Sequence, residues 1–186
     1  KSAGIHKGGY TAFRFDITSL MKPGENIIAV KVDNRHSEEI MPLGGDFSVL
    51  GGIYRNVSLI VVDPVHVDLM DNGSSGLYLT PVNVSESSAD LEIKALIFNH
   101  SSESKTVIIN GKLRNPDSFE SIADVSKPTF DVTAMCPGGK VIKSLNELVT
   151  IEPGKSYRFE KKITIERPHL WNGKKDPYRY LVDLEI

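Results

Sequence analysis

Four adjacent polar residues, Asp33, Asn34, Arg35 and His36, open a stretch from Asp33 to Gly52 that lacks any apolar periodicity. A carboxylate, an amide, a guanidinium and an imidazole can together donate to and accept from the hydroxyls of a polyhydroxylated ligand. Tyr10, Phe47 and Tyr54 could lay rings on the apolar face of a sugar, or could fill a core; the residue types allow both uses. Long stretches without order are uncommon in compact domains and are often functional. Other chemistry is thinner. Acid–base cleavage of a glycoside needs two carboxyl groups about 5 to 9 Å apart across the bond. Glu38, Glu39, Asp46, Glu86 and Asp90 are the candidates, but Glu38 and Glu39 are neighbours that diverge in an extended chain, and solvated loop charges are the plainer reading. His6, His36, His66, His100 and His169 form no HExxH and no short metal-ligand spacing. No serine occupies a GxSxG elbow, and neither Gly44-Gly45 nor Gly51-Gly52 leads into the lysine or helix start that a phosphate cradle requires. The single cysteine, Cys136, cannot close an internal disulfide and reads as a buried or half-buried thiol where a strand enters a turn. No catalytic residue, no cofactor and no metal site is therefore expected in these residues.

The composition narrows the class. At 186 residues the chain can hold one large or two small domains, and 40% apolar with 25% charged residues is an ordinary folded composition. The net charge of −2 and the short clusters Lys161-Lys162 and Lys174-Lys175 give no nucleic-acid footprint. Apolar runs such as Val57 to Val62 are too short to span a membrane. The Asn-x-Ser triplets at Asn56, Asn72, Asn83 and Asn99 are formal glycosylation matches only.

The elements that must position these groups read almost entirely as strands. Phe13, Phe15 and Ile17 alternate with Arg14 and Asp16, and Ile27 to Val32 is rich in β-branched residues. Between them Lys22-Pro23-Gly24-Glu25-Asn26 has the composition of a turn. A third segment runs from Ile53 to Val62 and ends at Asp63-Pro64, a plausible boundary because proline restricts the residue before it. Beyond it, strands are predicted at 65–70, 77–84, 89–98, 105–114, 129–135, 141–151, 156–165 and 178–186, separated by Gly, Ser, Asn and Pro. Short strands with such punctuation predict a two-sheet sandwich.

Several phrases also carry a resemblance. Gly8-Gly9-Tyr10-Thr11-Ala12-Phe13-Arg14-Phe15-Asp16-Ile17-Thr18, then Lys22-Pro23-Gly24-Glu25-Asn26, Ala29-Val30-Lys31-Val32-Asp33-Asn34 and Gly51-Gly52-Ile53-Tyr54-Arg55-Asn56-Val57 resemble the sugar-binding jelly-roll domain of glycoside hydrolase family 2. Ile165-Glu166-Arg167-Pro168-His169-Leu170-Trp171 and Asp176-Pro177-Tyr178-Arg179-Tyr180 resemble the end of that family's immunoglobulin-like second domain. The flavour is that of the β-galactosidases, with β-glucuronidases and β-mannosidases as alternatives sharing the framework.

What the resemblance implies is an all-β chain: an incomplete jelly-roll segment over residues 1–62 followed by an immunoglobulin-like β-sandwich over 63–186. It implies a retaining exo-β-glycosidase as parent, whose two catalytic glutamates lie on a later (β/α)₈ barrel without counterpart here, so that the chain alone is inactive. By the same resemblance Asp33 and Asn34 approach the parent's substrate, a saccharide bound through the barrel; Arg35 and His36 are counted beside them as substrate-adjacent, although from there on the loop departs from the β-galactosidase versions. The opening without a starting methionine leads us to expect a cut inside the first domain, a missing jelly-roll half and barrel in cis, and self-association through exposed strand edges. A periplasmic or secreted bacterial parent is the expected setting. A freestanding carbohydrate-binding or adhesion sandwich is the alternative from a different class.

Overall fold

The computed structural model describes residues 1–41, 51–71, 73–115 and 139–186. The predicted strand at 129–135, Cys136, Asp46, Phe47 and the triplet at Asn72 lie outside the described residues. The architecture is all-β, with two antiparallel sheets in an immunoglobulin-like sandwich and, among the described residues, a single 3-10 turn at Thr18–Leu20 as the only helical element. The chain divides into two compact units, one of Lys1–Ile60 with Leu69–Ser74 and one of Val61–Asp68 with Ser75–Ile186.

Among the described residues, the second unit holds seven strands. These are β1 (Val65–Val67), β2 (Leu77–Val82), β3 (Ser88–Asn99), β4 (Lys105–Arg114), β5 (Val141–Ile151), β6 (Ser156–Glu166) and β7 (Leu181–Glu185). β3 is the spine of the first sheet. It pairs with β6 along nearly its whole length, from Ser88 opposite Glu166 to Phe98 opposite Ser156. Its other edge is shared by β2, with Leu77 opposite Ala95, and β1, with Val65 opposite Asn99. The second sheet has β4 between β5 and β7, with a register shift at Leu113/Arg114. The alternation read in β3 works as a period of two demands: Ile93, Ala95 and Ile97 are buried and meet Ile109, Leu113, Ile151, Phe159 and Ile163 in one core.

The corner between the sheets is built by sequence punctuation. Pro153 and Gly154, the latter at φ 66°, have the order of a type II turn, closed by Lys155 N–H donating to the Glu152 carbonyl at 3.1 Å. Asn99 at the end of β3 grips it. Its side chain is 0% exposed. Its Nδ2 donates to the carbonyls of Ile151 and Glu103, both at 2.8 Å, while Oδ1 accepts from Ser101 N at 2.9 Å and Ser101 Oγ at 2.6 Å. Main-chain bonds from Gly154 N to Asn99 O (2.9 Å) and from Asn99 N to Lys155 O (3.0 Å) complete the joint. A polar residue so deeply buried is stable only when its hydrogen bonds are met, as here.

The first unit departs from expectation. The segments 13–17, 27–33 and 53–62, predicted as strands, form no ladder among the described residues. An alternating segment becomes a strand only when another strand meets its edge, and none does. No described residue of this unit is buried, and Phe13, Ile27, Ile28, Val30, Val32, Val57 and Leu59 stand exposed. The predicted turn does form: Asn26 accepts from Lys22 N at 3.0 Å and donates to the carbonyls of Lys22 (2.8 Å) and Gly24 (3.0 Å). Arg14 Nη1 ties the unit together by donating to the carbonyls of Leu69, at 2.8 Å, and Ser74.

Candidate functional site

The four residues at the mouth of the aperiodic stretch sit in the first unit. Asp33 and Arg35 form a local clamp. Arg35 Nε donates to Oδ1 at 2.9 Å, Nη2 to Oδ2 at 2.5 Å, and the Arg35 amide to Oδ1 at 3.1 Å. These hydrogen bonds, the side-chain one above all, hold the Asp33 carboxyl down at about 2. At neutral pH it is an anion with both oxygens engaged, unsuited to act as a general acid. The Arg35 side chain is 87% exposed, so the guanidinium is fixed by Asp33 on one edge and presents the other to solvent.

Asn34 packs against the far end of the stretch, because a Cβ on Gly51 would lie 3.1 Å from Asn34 Nδ2. The two ends of the stretch are thereby brought together. Beside them Tyr54 Oη donates to the Gly9 carbonyl and Arg55 Nη1 to the Tyr10 carbonyl at 2.7 Å. Tyr10 and Tyr54 are exposed and fill no core, as is Phe13. Asn34 and Arg35 can hydrogen-bond a ligand, and the exposed Tyr10 and Tyr54 rings can stack on one. Among the described residues of this unit no opposed carboxyl pair for bond cleavage is seen, Asp33 being engaged by Arg35 and Glu39 by Lys7.

The remaining sequence candidates are scattered. Glu39 pairs with Lys7 at 2.8 Å on the surface. Asp90 is held far below the usual carboxylate range by hydrogen bonds, first from Lys162, then from Asn83 and Thr164, which make it a structural anion between β3, β6 and the β2–β3 turn. His6 stacks on Phe13 at 4.2 Å and His66 on His100 at 5.0 Å, while His169 bonds Asp176 at 2.6 Å. Among the described residues no three His, Cys, Asp or Glu side chains gather as a metal would need, and no helix is long and apolar enough to cross a membrane.

Two features escape the sequence reading. Glu147 lies opposite Ile109 on the core-facing side of β5, where alternation calls for an apolar residue. Its Oε1 receives Tyr157 Oη at 2.9 Å and Lys161 Nζ at 3.1 Å, both from β6 of the other sheet, and the bond to Glu147 raises the Tyr157 hydroxyl above its ordinary pKa. The second is the loop after β6, where His169, Tyr178 and Tyr180 assemble into one aromatic stack. The repetition of aromatic residues within this short segment was its only signal.

With this geometry in hand, similarity to known proteins becomes informative. Residues 1–64 match the family model described as "Glycosyl hydrolases family 2, sugar binding domain". Over 187 aligned positions the chain is 33% identical to a β-glucuronidase of Bacteroides fragilis, covering 100% of this chain and 24% of that protein. The crystal structure of a Bacteroides uniformis β-glucuronidase matches with a TM-score of 0.79 at 29% identity, over 99% of this chain and 20% of that one. A putative β-galactosidase from Bacteroides fragilis matches with a TM-score of 0.78 at 30% identity, over 97% of this chain and 24% of that one. The chain is thus homologous to a segment of the family 2 glycosyl hydrolases, β-glucuronidase- and β-galactosidase-like alike, and spans a quarter or less of these relatives' length.

Proposed function

We propose that this chain is a non-catalytic segment of a retaining exo-β-glycosidase of family 2 whose substrates are terminal β-glucuronides. This replaces the β-galactosidase emphasis of the sequence resemblance. One observation carries the change. Similarity to β-glucuronidases reaches 33% identity over 100% and 96% of the chain. Similarity to curated β-galactosidases is lower where it runs the whole chain, at 28% and 26%, or confined to 63, 68 or 79 residues, and the putative β-galactosidase structure, at 30% over 97% of the chain, also falls below 33%.

In this reading residues 1–62 are the later part of a sugar-binding jelly roll, and residues 63–186 are the immunoglobulin-like domain that orients a barrel carrying the catalytic carboxylates. Asp33, Asn34, Arg35 and His36 stand at the edge of the parent's substrate site. The match of residues 1–64 to a sugar-binding domain supports that placement. The exposed apolar side chains of the first unit are covered by the rest of that domain in the parent, or by self-association when it is missing. A periplasmic or secreted setting accords with a saccharide-degrading role.

The test is to assay this chain and the barrel-containing protein side by side on chromogenic β-glucuronide, β-galactoside and β-mannoside. The expected outcome is a silent chain beside a parent that prefers the glucuronide. A parent that prefers galactoside or mannoside overturns the substrate assignment. Turnover that co-purifies with the short chain and responds to its own substitutions overturns the non-catalytic assignment.

A further inference from the structure

Two strand edges of the second unit border an open cleft. β1 pairs on one side, with β3, and β7 on one side, with β4; among the described residues neither meets a strand on its other edge. The two strands belong to different sheets. The cleft between them has a volume of about 460 Å³ and is walled by Val61, Val62, Val65 and Val67 on the β1 side and by Leu184 and Ile186 on the β7 side. Its two polar residues are spent on each other, since His66 Nδ1 donates to the Asp63 carbonyl at 2.6 Å. The walls therefore ask for an apolar occupant.

The core is unfinished on this side of the sandwich. Val182 and Leu184 lie opposite Leu113 and Gly111 on β4, and with Val65 and Val67 they pack on the core cluster. Yet Leu79, opposite the buried Ile93 on the same edge of β3 that β1 uses, is 42% exposed, and Val61 is 85% exposed. A strand edge with open main-chain groups beside an apolar strip is a template for one more strand. Charge and connection say which strand. The antiparallel registers that would align most of β7 with β7 of a second copy, inner face with inner face, set Asp183 against Asp183 or Glu185, and like charges directly opposite destabilise a pair. Ile186, one residue beyond β7, itself stands in the wall of the cleft. Residues joined to it emerge beside the open edge, and a chain that turns back through a short loop pairs antiparallel with the strand it has just left.

We propose that the cleft between β1 and β7 receives a further β-strand, formed by the residues that follow Ile186 in the longer parent, which runs back antiparallel along the open edge of β7 and seats alternate apolar side chains on Leu184, Val65 and Val67. This rests on the reading of the chain as a segment that a barrel follows. The stretch that leads on to the barrel then also closes the sandwich, so the second unit reaches its full stability only with that stretch attached.

The test compares the 186-residue chain with the same chain lengthened by the roughly 20 residues that follow Ile186 in the barrel-containing protein, enough for a turn and a strand. No barrel is attached. Hydrogen exchange at the amides of β7 should slow about tenfold or more in the lengthened chain, and its thermal midpoint should rise. Val61→Lys, at a site 85% exposed, should leave the short chain's midpoint where it is and cancel most of the rise in the lengthened one. Exchange at β7 that does not change on lengthening overturns the proposal. So does exchange in the short chain that slows as its concentration is raised, which would give the edge to a second copy, or a rise in midpoint that Val61→Lys does not touch. The sugar assay is a separate matter. A parent that prefers the β-glucuronide while β7 stays unchanged sinks this inference alone, and a protected β7 in a parent with another preference sinks only the substrate assignment.

Discussion

Replacing Asn99 by alanine tests whether one side chain holds the corner where β5 crosses to β6. The substitution strips hydrogen-bond partners from three main-chain groups, the carbonyls of Ile151 and Glu103 and the amide of Ser101. A buried polar group left unmet costs about 1–3 kcal/mol, and one that water can reach costs less. The Ile151 carbonyl belongs to a residue 3% exposed and takes about 2 kcal/mol, while the two turn groups contribute roughly 0.5 kcal/mol each, for a total near 3 kcal/mol. With a urea m value of about 1.5 kcal/mol per molar, the unfolding midpoint followed by circular dichroism should fall by about 2 M. Asn99→Asp keeps the acceptor contacts to Ser101 but turns a carboxylate toward two carbonyl oxygens. Its folded pKa is therefore raised, so its stability is highest below the ordinary carboxylate range and is lost as pH rises through the folded pKa. A midpoint for Asn99→Ala within roughly 0.5 M of the parent chain, at unchanged m, would refute the corner-clamp reasoning.

Three further outcomes follow from the geometry. The Asp33 carboxyl should titrate at about 2 by carbon-13 NMR and return toward the ordinary aspartate value of 3.8 in Arg35→Ala; since its folded pKa is depressed, the clamp is formed above the ordinary range and lost as pH falls toward 2, and an unmoved midpoint would contradict the pairing. Gly76→Ala should destabilise by about 2–4 kcal/mol, because the site has φ 75° and a Cβ would meet the Asp68 carbonyl oxygen and Val67 Cγ1 at 2.4 and 2.5 Å. Gly111→Ala, whose Cβ would find Leu145 and Leu184 at ordinary contact distances of 3.5 to 3.8 Å, should be tolerated, and thermal denaturation of the pair checks both. Arg114→Met breaks the 2.5 Å bond to Asp183 that joins β4 to β7, and the bond to the Gly139 carbonyl at 3.1 Å; with both partners mostly buried, the loss should be about 2 kcal/mol, a fall in Tm of about 4–8 °C.

The second unit was legible because its sequence and structure use the same period. The alternation of Ile93, Ala95 and Ile97 with Glu92, Lys94 and Leu96 places β3, and Pro153-Gly154 fixes the turn between β5 and β6. The first unit was not legible in the same way. Phe13–Ile17 and Ile27–Val32 carry strand patterns as clear as those of β3, but a pattern states only what a segment will do when a partner strand is present. At the candidate site the residue types were visible and their mutual use was not: nothing in Asp33-Asn34-Arg35 says that the carboxylate is spent on the arginine two positions on. Glu147 was hidden for the opposite reason, since a carboxylate on an inner face violates the pattern, and its partners, Tyr157 and Lys161, come from the other sheet. The triplet at Asn99 is the sharpest lesson. It has the local form of a glycan acceptor, yet its amide nitrogen is committed to two carbonyls inside the fold.

The Asn99 joint also bears on mechanics. β5 and β6 are consecutive strands linked by a four-residue turn, yet they lie in different sheets, so the turn acts as an arch with a span rather than as a hairpin. Tension transmitted along β6 toward the loop that carries Trp171 would shear the β3–β6 ladder lengthwise, loading many hydrogen bonds at once. Tension that pulled the sheets apart would instead reach the arch and find Asn99 as its keystone. The load path through this corner thus differs from that along the β3–β6 ladder.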